Sequence, residues 1–296
     1  MATLSQWFAG ARPRTLPAAI APVVVGTAAA AANRDVEEGT KGAQLGLALL
    51  ALLVSCCLQI GVNYANDYSD GIRGTDEERV GPVRLVGQNL ANPENVKLLA
   101  FTFFGLGAFF GFALVALSQA WILLPIGALA VLAAWRYTGG DNPYGYRGLG
   151  EVYVFVFFGL VATLGTQYAQ IGAITVVGVL GAVGVGALAS AILVANNLRD
   201  IPSDTQSGKT TLAVRLGEAR TRRLYVGLFG VTVVCTLLMA FWHPWAPVAL
   251  IGLLVAGPGI RAVRSGARGR ALVPALASTG LAELLWAVVL VVPLAR

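Results

Sequence analysis

Nine apolar runs constrain the fold of this chain more than any other feature of its sequence. Each approaches the roughly 20 residues that a helix needs to cross the hydrocarbon core of a bilayer. They lie at about residues 17–32, 44–66, 97–117, 119–135, 150–168, 171–198, 222–241, 246–264 and 271–294. Only 12% of the residues are charged, whereas soluble domains average about 25%. The sequence therefore predicts an all-α, polytopic membrane protein with nine transmembrane helices in one domain, residues 1–296.

The basic residues indicate how these helices are oriented. If the N-terminus is cytoplasmic, 18 of the 21 Lys and Arg residues fall in inner segments, and only Arg34, Lys41 and Arg296 fall outside. Cytoplasmic loops of membrane proteins carry such an excess of Lys and Arg. We therefore expect a multi-pass cell-membrane protein with its C-terminus outside. This excess of Lys and Arg in the cytoplasmic segments, next to the membrane lipid, explains the net charge of +6. No nucleic acid partner is therefore expected.

Acidic residues concentrate in two predicted inner loops, after the second and the sixth apolar runs. The first set is Gln59, Asn63 and Asp67, with Asp70 as an additional acid three residues further on, and the second set is Asn196, Asp200 and Asp204. Because residues four apart share a helix face, each set forms a polar stripe where its helix ends, provided that the second helix continues past Pro202. Carboxylates next to hydrocarbon are costly and usually have a function. Two stripes on one membrane face therefore indicate a shared site.

The chemistry of these loops suits magnesium and a diphosphate. Mg²⁺ takes oxygen ligands and often uses one or two carboxylates together with substrate phosphates. Arg73, Lys209 and Arg147 lie in the inner loops and would neutralise the remaining phosphate charge. The sequence GKT at 208–210 resembles the end of a nucleotide-binding loop. However, Ser203 replaces the first glycine of that motif, and a run of helical length precedes it.

Three segments carry a resemblance to a known family. They are ARPRTLPAAIAPVVVG, NYANDYSDGIRGTD with GPVRLV, and NNLRDIPSDTQSGKTTLAVRLG, and together they span residues 11–217. With them the chain resembles the UbiA superfamily of intramembrane aromatic prenyltransferases, whose two Asp-rich motifs follow helices 2 and 6 of a nine-helix bundle. Where the family often has a second acid four residues after the first, this chain has Gly71, and Asp70 lies one residue earlier.

The resemblance implies a reaction and its partners. Within the superfamily the segments are most similar to the branch that acts on 1,4-dihydroxy-2-naphthoate. The resemblance implies Mg²⁺-dependent transfer of a polyprenyl group from a polyprenyl diphosphate to that acid. Diphosphate and CO2 are lost, and the product is a demethylmenaquinol for menaquinone biosynthesis. The membrane lipid would hold the prenyl chain, and an oligomer is compatible with the sequence. Another acceptor such as 4-hydroxybenzoate stays open, as do a secondary transporter and a CDP-alcohol transferase.

The predicted site combines the two stripes with their neighbours. The predicted metal ligands are Asn63, Asp67, Asp70, Asn196, Asp200 and Asp204, of which the four Asp residues are also the predicted catalytic groups. The predicted substrate contacts are Asn63, Asn196, Asn197, Arg73, Lys209, Arg147 and Tyr144. A general base is left open between Asp70, Asp76 and a tyrosine of the inner loop at 136–151. Glu283, inside the last apolar run, is either functional or paired with a neighbouring helix.

Overall fold

The protein is an all-helical bundle in a computed structural model that describes residues 2–33, 42–74 and 83–295. Within these ranges every regular element is a helix, so the all-α prediction is confirmed. We number the helices α1 (Leu4–Gly10), α2 (Pro17–Ala31), α3 (Leu45–Ile72), α4 (Pro93–Ser118), α5 (Leu123–Arg136), α6 (Gly150–Ile171), α7 (Val176–Gln206), α8 (Leu212–Met239), α9 (Ala246–Arg264) and α10 (Gly269–Leu294).

Seven helices within the described ranges are long and apolar enough to cross a membrane. The segments Leu4–Thr15 and Pro17–Ala31 meet at an angle of 46° and would add an eighth span if they are counted together. Helix α5 has 14 residues, fewer than the roughly 20 of a span perpendicular to the bilayer. The chain is therefore a multi-pass membrane protein, while the count of nine spans and the orientation of its termini stay predictions.

Helix α7 is the centre of the bundle. It packs against α2, α6, α8 and α10, and 67% of its apolar window is buried, against 28% for α3. Gly and Ala residues along α7 make this possible, because small side chains let helix backbones approach closely. At the closest point a Cβ added to Gly159 of α6 would lie 2.4 Å from the Cα of Gly186. Gly159 belongs to a wider π-helical turn, Phe155–Val161, of the kind that often marks functional sites.

Both helices that carry the acidic stripes continue beyond their apolar runs. Helix α3 extends to Ile72 and α7 extends through Pro202 to Gln206. Asn196, Asp200 and Asp204 therefore lie on one continuous helix and share a face, which was the condition for the second acidic stripe. Gly208 then adopts φ 74°, a left-handed conformation that glycine tolerates and that commonly ends a helix. The chain turns there, and this turn brings Lys209 back toward α3.

Candidate active site

A cavity of about 540 Å³ enters the bundle beside α3 and α7. Polar groups from five segments line one end of it, namely Arg12, Asn63, Asn66, Asp70, Arg84, Asn196, Asn197, Asp204 and Lys209. Apolar residues of α3 to α6 line the remainder, including Val54, Leu58, Gly111 and Phe157. Such a cavity, with a few polar groups at one end of an apolar wall, suits a ligand with a charged head and a long hydrocarbon tail.

Asp70 joins three parts of the chain that are distant in sequence. Its Oδ1 accepts hydrogen bonds from Lys209 Nζ at 3.1 Å and from the Tyr146 hydroxyl at 2.6 Å. Its Oδ2 lies 4.0 Å from Arg84 Nη1. The Lys209 ammonium also lies over the Tyr146 ring, 4.5 Å from its centroid, a favourable cation–π arrangement. The two predicted acidic loops and the inner loop at 136–151 therefore meet at Asp70.

Asp67 binds the backbone of the segment that precedes α4, at Leu85 and Val86. Its carboxylate accepts hydrogen bonds from the backbone N–H groups of Leu85 at 2.7 Å and Val86 at 3.1 Å, and the side chain is fully buried. It does not line the cavity. The segment that Asp67 holds carries Arg84, which does line the polar end. In this structure Asp67 therefore positions a cationic neighbour of Asp70.

The second stripe divides between a paired acid and an acid that lines the cavity. Both oxygens of Asp200 accept from Arg199, at 2.6 Å to Nε and 2.7 Å to Nη2, and Asn196 Nδ2 lies 3.4 Å from Oδ2. Asp200 does not line the cavity. Asp204 does, and its backbone carbonyl accepts from the Lys209 N–H at 2.8 Å. Thr211 Oγ1 lies 3.5 Å from Asp204 Oδ2.

The two predicted arginine contacts lie outside the cavity lining. Arg73 donates to the carbonyl oxygens of Thr138 and Gly140 and lies over the Tyr146 ring at 5.4 Å. It therefore fastens the inner loop to the end of α3. Arg147 is exposed at the surface of that loop. Of the predicted substrate contacts, those that do line the cavity are Asn63, Asn196, Asn197, Lys209 and Tyr144.

Aromatic side chains form one wall of the cavity. Tyr144 stacks on Tyr153 with ring centroids 3.7 Å apart, and Tyr137 meets Tyr144 edge-on at 5.5 Å. The Tyr144 hydroxyl donates to the Ala133 carbonyl at 2.9 Å. Burial raises the pKa of Tyr144, and the neighbouring Tyr153 raises it further. Tyr144 therefore stays protonated at neutral pH, which disfavours it as the general base.

Two further acids were considered from the sequence, Asp76 and Glu283. Asp76 lies outside the described residues. Glu283 is fully buried in α10, and neither carboxylate oxygen has a hydrogen-bond partner within the described ranges. It does not line the cavity, and the helix-to-helix pairing considered for it is not found in that part of the chain. The structure gives Glu283 no contact with the predicted site.

The donors at the polar end can be compared with the requirements of Mg²⁺. Within the described residues, no three His, Cys, Asp or Glu side chains converge as a ready-made metal site. Asp70, Asp204, Asn63 and Asn196 nevertheless bring carboxylate and amide oxygens to one end of the cavity. Mg²⁺ needs only one or two protein carboxylates when phosphates supply further oxygens. This donor set therefore fits a Mg²⁺ ion that binds together with a diphosphate.

Sequence reasoning missed several residues that the fold places at this site. Arg12, Asn66 and Arg84 line the cavity but belong to no acidic stripe. The sequence identifies Tyr146 only as a loop tyrosine, yet it contacts both Asp70 and Lys209. The available signal was the position of these residues inside the segments ARPRT, NYAND, GPVRLV and PYGYR, since polar residues there adjoin apolar runs. Their convergence depends on tertiary contacts.

The fold and the site together define a class of protein. An apolar cavity inside a membrane bundle, with carboxylates, amides and cations at one end, is suited to a membrane-embedded enzyme that acts on an amphiphilic diphosphate. Comparison with known families agrees with this class. The model of the UbiA prenyltransferase family matches residues 19–273, so the chain belongs to that family.

Similar proteins match most or nearly all of the chain. A 1,4-dihydroxy-2-naphthoate octaprenyltransferase of Mycobacterium tuberculosis is 55% identical over 287 residues, which cover 97% of this chain and 96% of the relative. The Escherichia coli protein of the same name is 39% identical, and the match covers 77% of this chain and 74% of the relative. A UbiA homolog from Archaeoglobus fulgidus, bound to DMAPP and Mg²⁺, has a TM-score of 0.65 at 15% identity, covering 96% and 99% of the two chains. At this level of identity, the similarity to the Archaeoglobus fulgidus structure shows a shared fold and nothing more.

Proposed function

We propose that this protein transfers a polyprenyl group from a polyprenyl diphosphate to 1,4-dihydroxy-2-naphthoate. The allylic C–O bond breaks, diphosphate leaves with the electron pair, and a C–C bond forms to the ring. Loss of CO2 returns an electron pair to the ring and gives a demethylmenaquinol. The relatives of the same name support this acceptor, since they match most of the chain. The observation that carries the proposal is the cavity with a polar end and an apolar wall.

The polar end would bind the diphosphate. Lys209, Arg84 and Arg12 place three cationic side chains there, and charge-assisted contacts to phosphate are among the stronger hydrogen bonds in proteins. The oxygens that would hold Mg²⁺ come from Asp70, Asp204, Asn63 and Asn196. When bound, Mg²⁺ would stabilise the negative charge that develops on the leaving diphosphate. The residues themselves orient the phosphate end and keep it at the mouth of the cavity.

The apolar part of the cavity would hold the prenyl chain. A cavity of about 540 Å³ has the size of a site for a drug-sized ligand, so a long polyprenyl chain must extend beyond it. Three small residues, Ala108 of α4 and Gly127 and Ala128 of α5, line the cavity and are exposed. We therefore place the exit of the prenyl chain toward the lipid between α4 and α5. The chain could therefore continue into the bilayer.

One assay tests the proposed function directly. Purified protein is incubated with Mg²⁺, octaprenyl diphosphate and a panel of aromatic acids that includes 1,4-dihydroxy-2-naphthoate and 4-hydroxybenzoate. We expect a product with the mass of the decarboxylated, prenylated naphthoquinol, and little product from the other acids. A preference for 4-hydroxybenzoate would reassign the acceptor, and the absence of product with every acid would refute the function.

Lys209 provides a test of diphosphate binding. It is 5% exposed and its ammonium is held by Asp70 beside the cavity, so Lys209→Ala removes a buried positive charge from the phosphate end. A hydrogen bond to a charged group is worth roughly 1.5–3 kcal/mol, so kcat/KM should fall about ten- to a hundred-fold. We expect the KM for the prenyl diphosphate to rise more than that for the aromatic acid, and Lys209→Arg to retain part of the function.

Two alternatives to this role for Lys209 give different results. If Lys209 only adds to the positive charge of the cytoplasmic loops, the kcat and KM of Lys209→Ala will be unchanged and only expression will fall. If the loop binds a nucleotide, ATP will bind to the wild-type protein and binding will be lost in Lys209→Ala. Either result would contradict the assignment of Lys209 to the diphosphate.

The cytoplasmic location of the site can be tested by cysteine labelling. Cys56, Cys57 and Cys235 are first replaced, and a cysteine is then introduced at Ser207, which is exposed at the end of α7. Because the basic residues predict this loop to be inside, an impermeant thiol reagent should label it only in inverted vesicles. Ala173→Cys, at the opposite end of α7, is the matched control and should be labelled only from outside. The reverse pattern would overturn the proposed orientation.

A further inference from the structure

A buried carboxyl group that the proposed reaction does not use lies at the start of α6. Glu151 is 7% exposed, and its Oε1 accepts a hydrogen bond from Asn197 Nδ2 at 2.9 Å. Its other oxygen, Oε2, is buried and has no hydrogen-bond partner within the described residues. Burying a carboxyl group with so few partners is costly. Among the described residues its one side-chain hydrogen bond is with Asn197, and the cost of burial favours a function for that bond.

The start of α6 is packed closely against α7. A Cβ added to Gly150 would lie 3.2 Å from Leu193 Cδ2, so a larger residue would require a shift. Ser190 Oγ donates to the Glu151 carbonyl oxygen at 3.2 Å. Leu193 and Ser190 precede Asn197 by four and seven residues and so share its helix face. Both the backbone and the side chain of Glu151 are therefore held against the face of α7 that carries Asn197.

The contact with Glu151 determines which way the Asn197 amide points. In the structure the amide nitrogen of Asn197 donates to Glu151 Oε1, so the amide oxygen faces away from Glu151. Asn197 also lines the cavity. No hydrogen bond to its Oδ1 occurs among residues 2–33, 42–74 and 83–295, and this atom is not fully buried. An oriented carbonyl oxygen is thus available to a ligand.

The position of Asn197 favours the aromatic acceptor over the metal as that ligand. The acidic stripe that ends in Asp204 follows one face of α7 at four-residue spacing, and Asn197 lies beside this stripe on the face that meets α6. From α6, Tyr153 lines the same cavity, and Tyr144 stacks against it. Aromatic rings bind other aromatic rings by stacked or edge-on contacts. The oriented oxygen therefore belongs to the aromatic side of the cavity.

We propose that Asn197 Oδ1 accepts a hydrogen bond from a ring hydroxyl of the aromatic acceptor, and that Glu151 is the positioning residue that holds this amide. The inference rests on the proposed prenyl transfer and deepens it. A hydroxyl that donates to a carbonyl oxygen leaves more electron density on its ring, which helps the ring carbon attack the allylic carbon. The same contact fixes the ring relative to the prenyl diphosphate.

The first experiment removes the acceptor oxygen of Glu151. In Glu151→Leu the Asn197 amide loses its partner and can rotate, so the aromatic acid loses an oriented contact worth about a factor of ten. We expect the KM for 1,4-dihydroxy-2-naphthoate to rise about ten-fold, while the KM for octaprenyl diphosphate and the dependence on Mg²⁺ stay unchanged. Glu151→Gln keeps one oxygen opposite Asn197 Nδ2 and should lose less. Thermal unfolding in detergent confirms that each variant is folded.

A second experiment exchanges the two partners. Asn197→Asp alone places two carboxyl groups against each other and should weaken binding of the naphthoate about ten-fold. When Asn197→Asp is combined with Glu151→Gln, the new amide donates to one oxygen of the new carboxylate, and the second carboxylate oxygen faces the cavity. The exchanged pair therefore again presents an oriented acceptor to the ring hydroxyl. We expect the double variant to bind the naphthoate more tightly than Asn197→Asp alone, as measured by equilibrium binding.

The outcomes separate this inference from the proposed function. If the wild-type protein prenylates the acid and Glu151→Leu leaves its KM unchanged, the positioning role is overturned and the prenyl transfer stands. An equal rise in the KM for octaprenyl diphosphate, or a double variant that binds no better than Asn197→Asp alone, would likewise overturn it. If the wild-type protein prenylates no aromatic acid, the proposed function fails first.

Discussion

Replacing Asp70 by Asn should reduce prenyl transfer by about 10²–10³-fold, the usual cost of removing one group that stabilises developing charge. Asp70 lines the polar end of the cavity and contacts Lys209 and Tyr146. The substitution keeps the shape of the side chain but removes the negative charge that pairs with Lys209 and that a bound Mg²⁺ would use as a ligand. The loss should appear in kcat and in a higher Mg²⁺ concentration for half-maximal activity.

A carboxylate that only supports the fold would behave differently, so stability must be measured with activity. Asp70→Asn leaves buried Lys209 without its negative partner, and breaking a buried ion pair typically costs about 3–5 kcal/mol. Lys209→Met in the same protein removes the unpaired cation. We expect this double variant to recover much of the thermal stability of the wild type while turnover stays lost.

Two further variants control for the position of the carboxylate. Glu94→Gln changes an acid at the start of α4 whose side chain is 70% exposed, and its turnover should match the wild type. Asp67→Asn changes an acid that accepts from two backbone N–H groups and does not line the cavity. It should lower turnover together with thermal stability. Near wild-type activity of Asp70→Asn at limiting Mg²⁺ would contradict the assignment of Asp70 to the metal.

The contrast between Asp67 and Asp70 shows what the sequence could predict about the site. Helical spacing correctly placed polar residues at the ends of α3 and α7, because a helix repeats every 3.6 residues whatever surrounds it. Spacing alone could not tell which acid faces the cavity. That depends on the segment after α3, whose backbone N–H groups bind Asp67 and so leave Asp70 for Lys209. These contacts join residues 18 and 139 positions apart.

The fold shows a similar division between predictable and unpredictable features. Apolar runs identified the helices, since each must satisfy its own backbone hydrogen bonds in lipid. They misplaced the ends, as at α7, which continues to Gln206 through polar residues. Hydropathy falls where a helix leaves the membrane, whereas the helix itself gives way to a turn at Gly208, where the backbone adopts positive φ. The inward-facing Glu151 was also missed, because its role depends on packing between α6 and α7.

Replacing Gly111 by Phe should prevent the use of long prenyl chains. Gly111 of α4 lines the apolar part of the cavity, and a Cβ placed there would contact only Val54 Cγ2, at 3.8 Å. A phenyl ring would therefore fit by filling the cavity. Val54 lies nine residues before Asn63 on α3, about 14 Å along the helix from the polar end. The new ring would obstruct the path of the prenyl chain at that depth.

The expected effect depends on chain length. A geranyl chain spans roughly 10 Å when extended, counting its carbon–carbon bonds, and an octaprenyl chain spans roughly 40 Å. The shorter chain therefore ends before Gly111 and the longer chain has to pass it. We expect kcat/KM for octaprenyl diphosphate to fall by about a hundred-fold or more in Gly111→Phe, while the value for geranyl diphosphate changes by less than about three-fold.

Gly105→Phe is the matched control for this substitution. Gly105 lies on the same helix, a Cβ there would meet nothing within 4 Å, and the residue does not line the cavity. It tests whether a phenylalanine on α4 affects activity merely by changing helix packing or membrane insertion. Because Gly105 faces away from the proposed path, Gly105→Phe should leave the ratio of octaprenyl to geranyl transfer unchanged. Equal losses for both substrates in Gly111→Phe, or the same change in ratio for both variants, would show that the prenyl chain takes a different route.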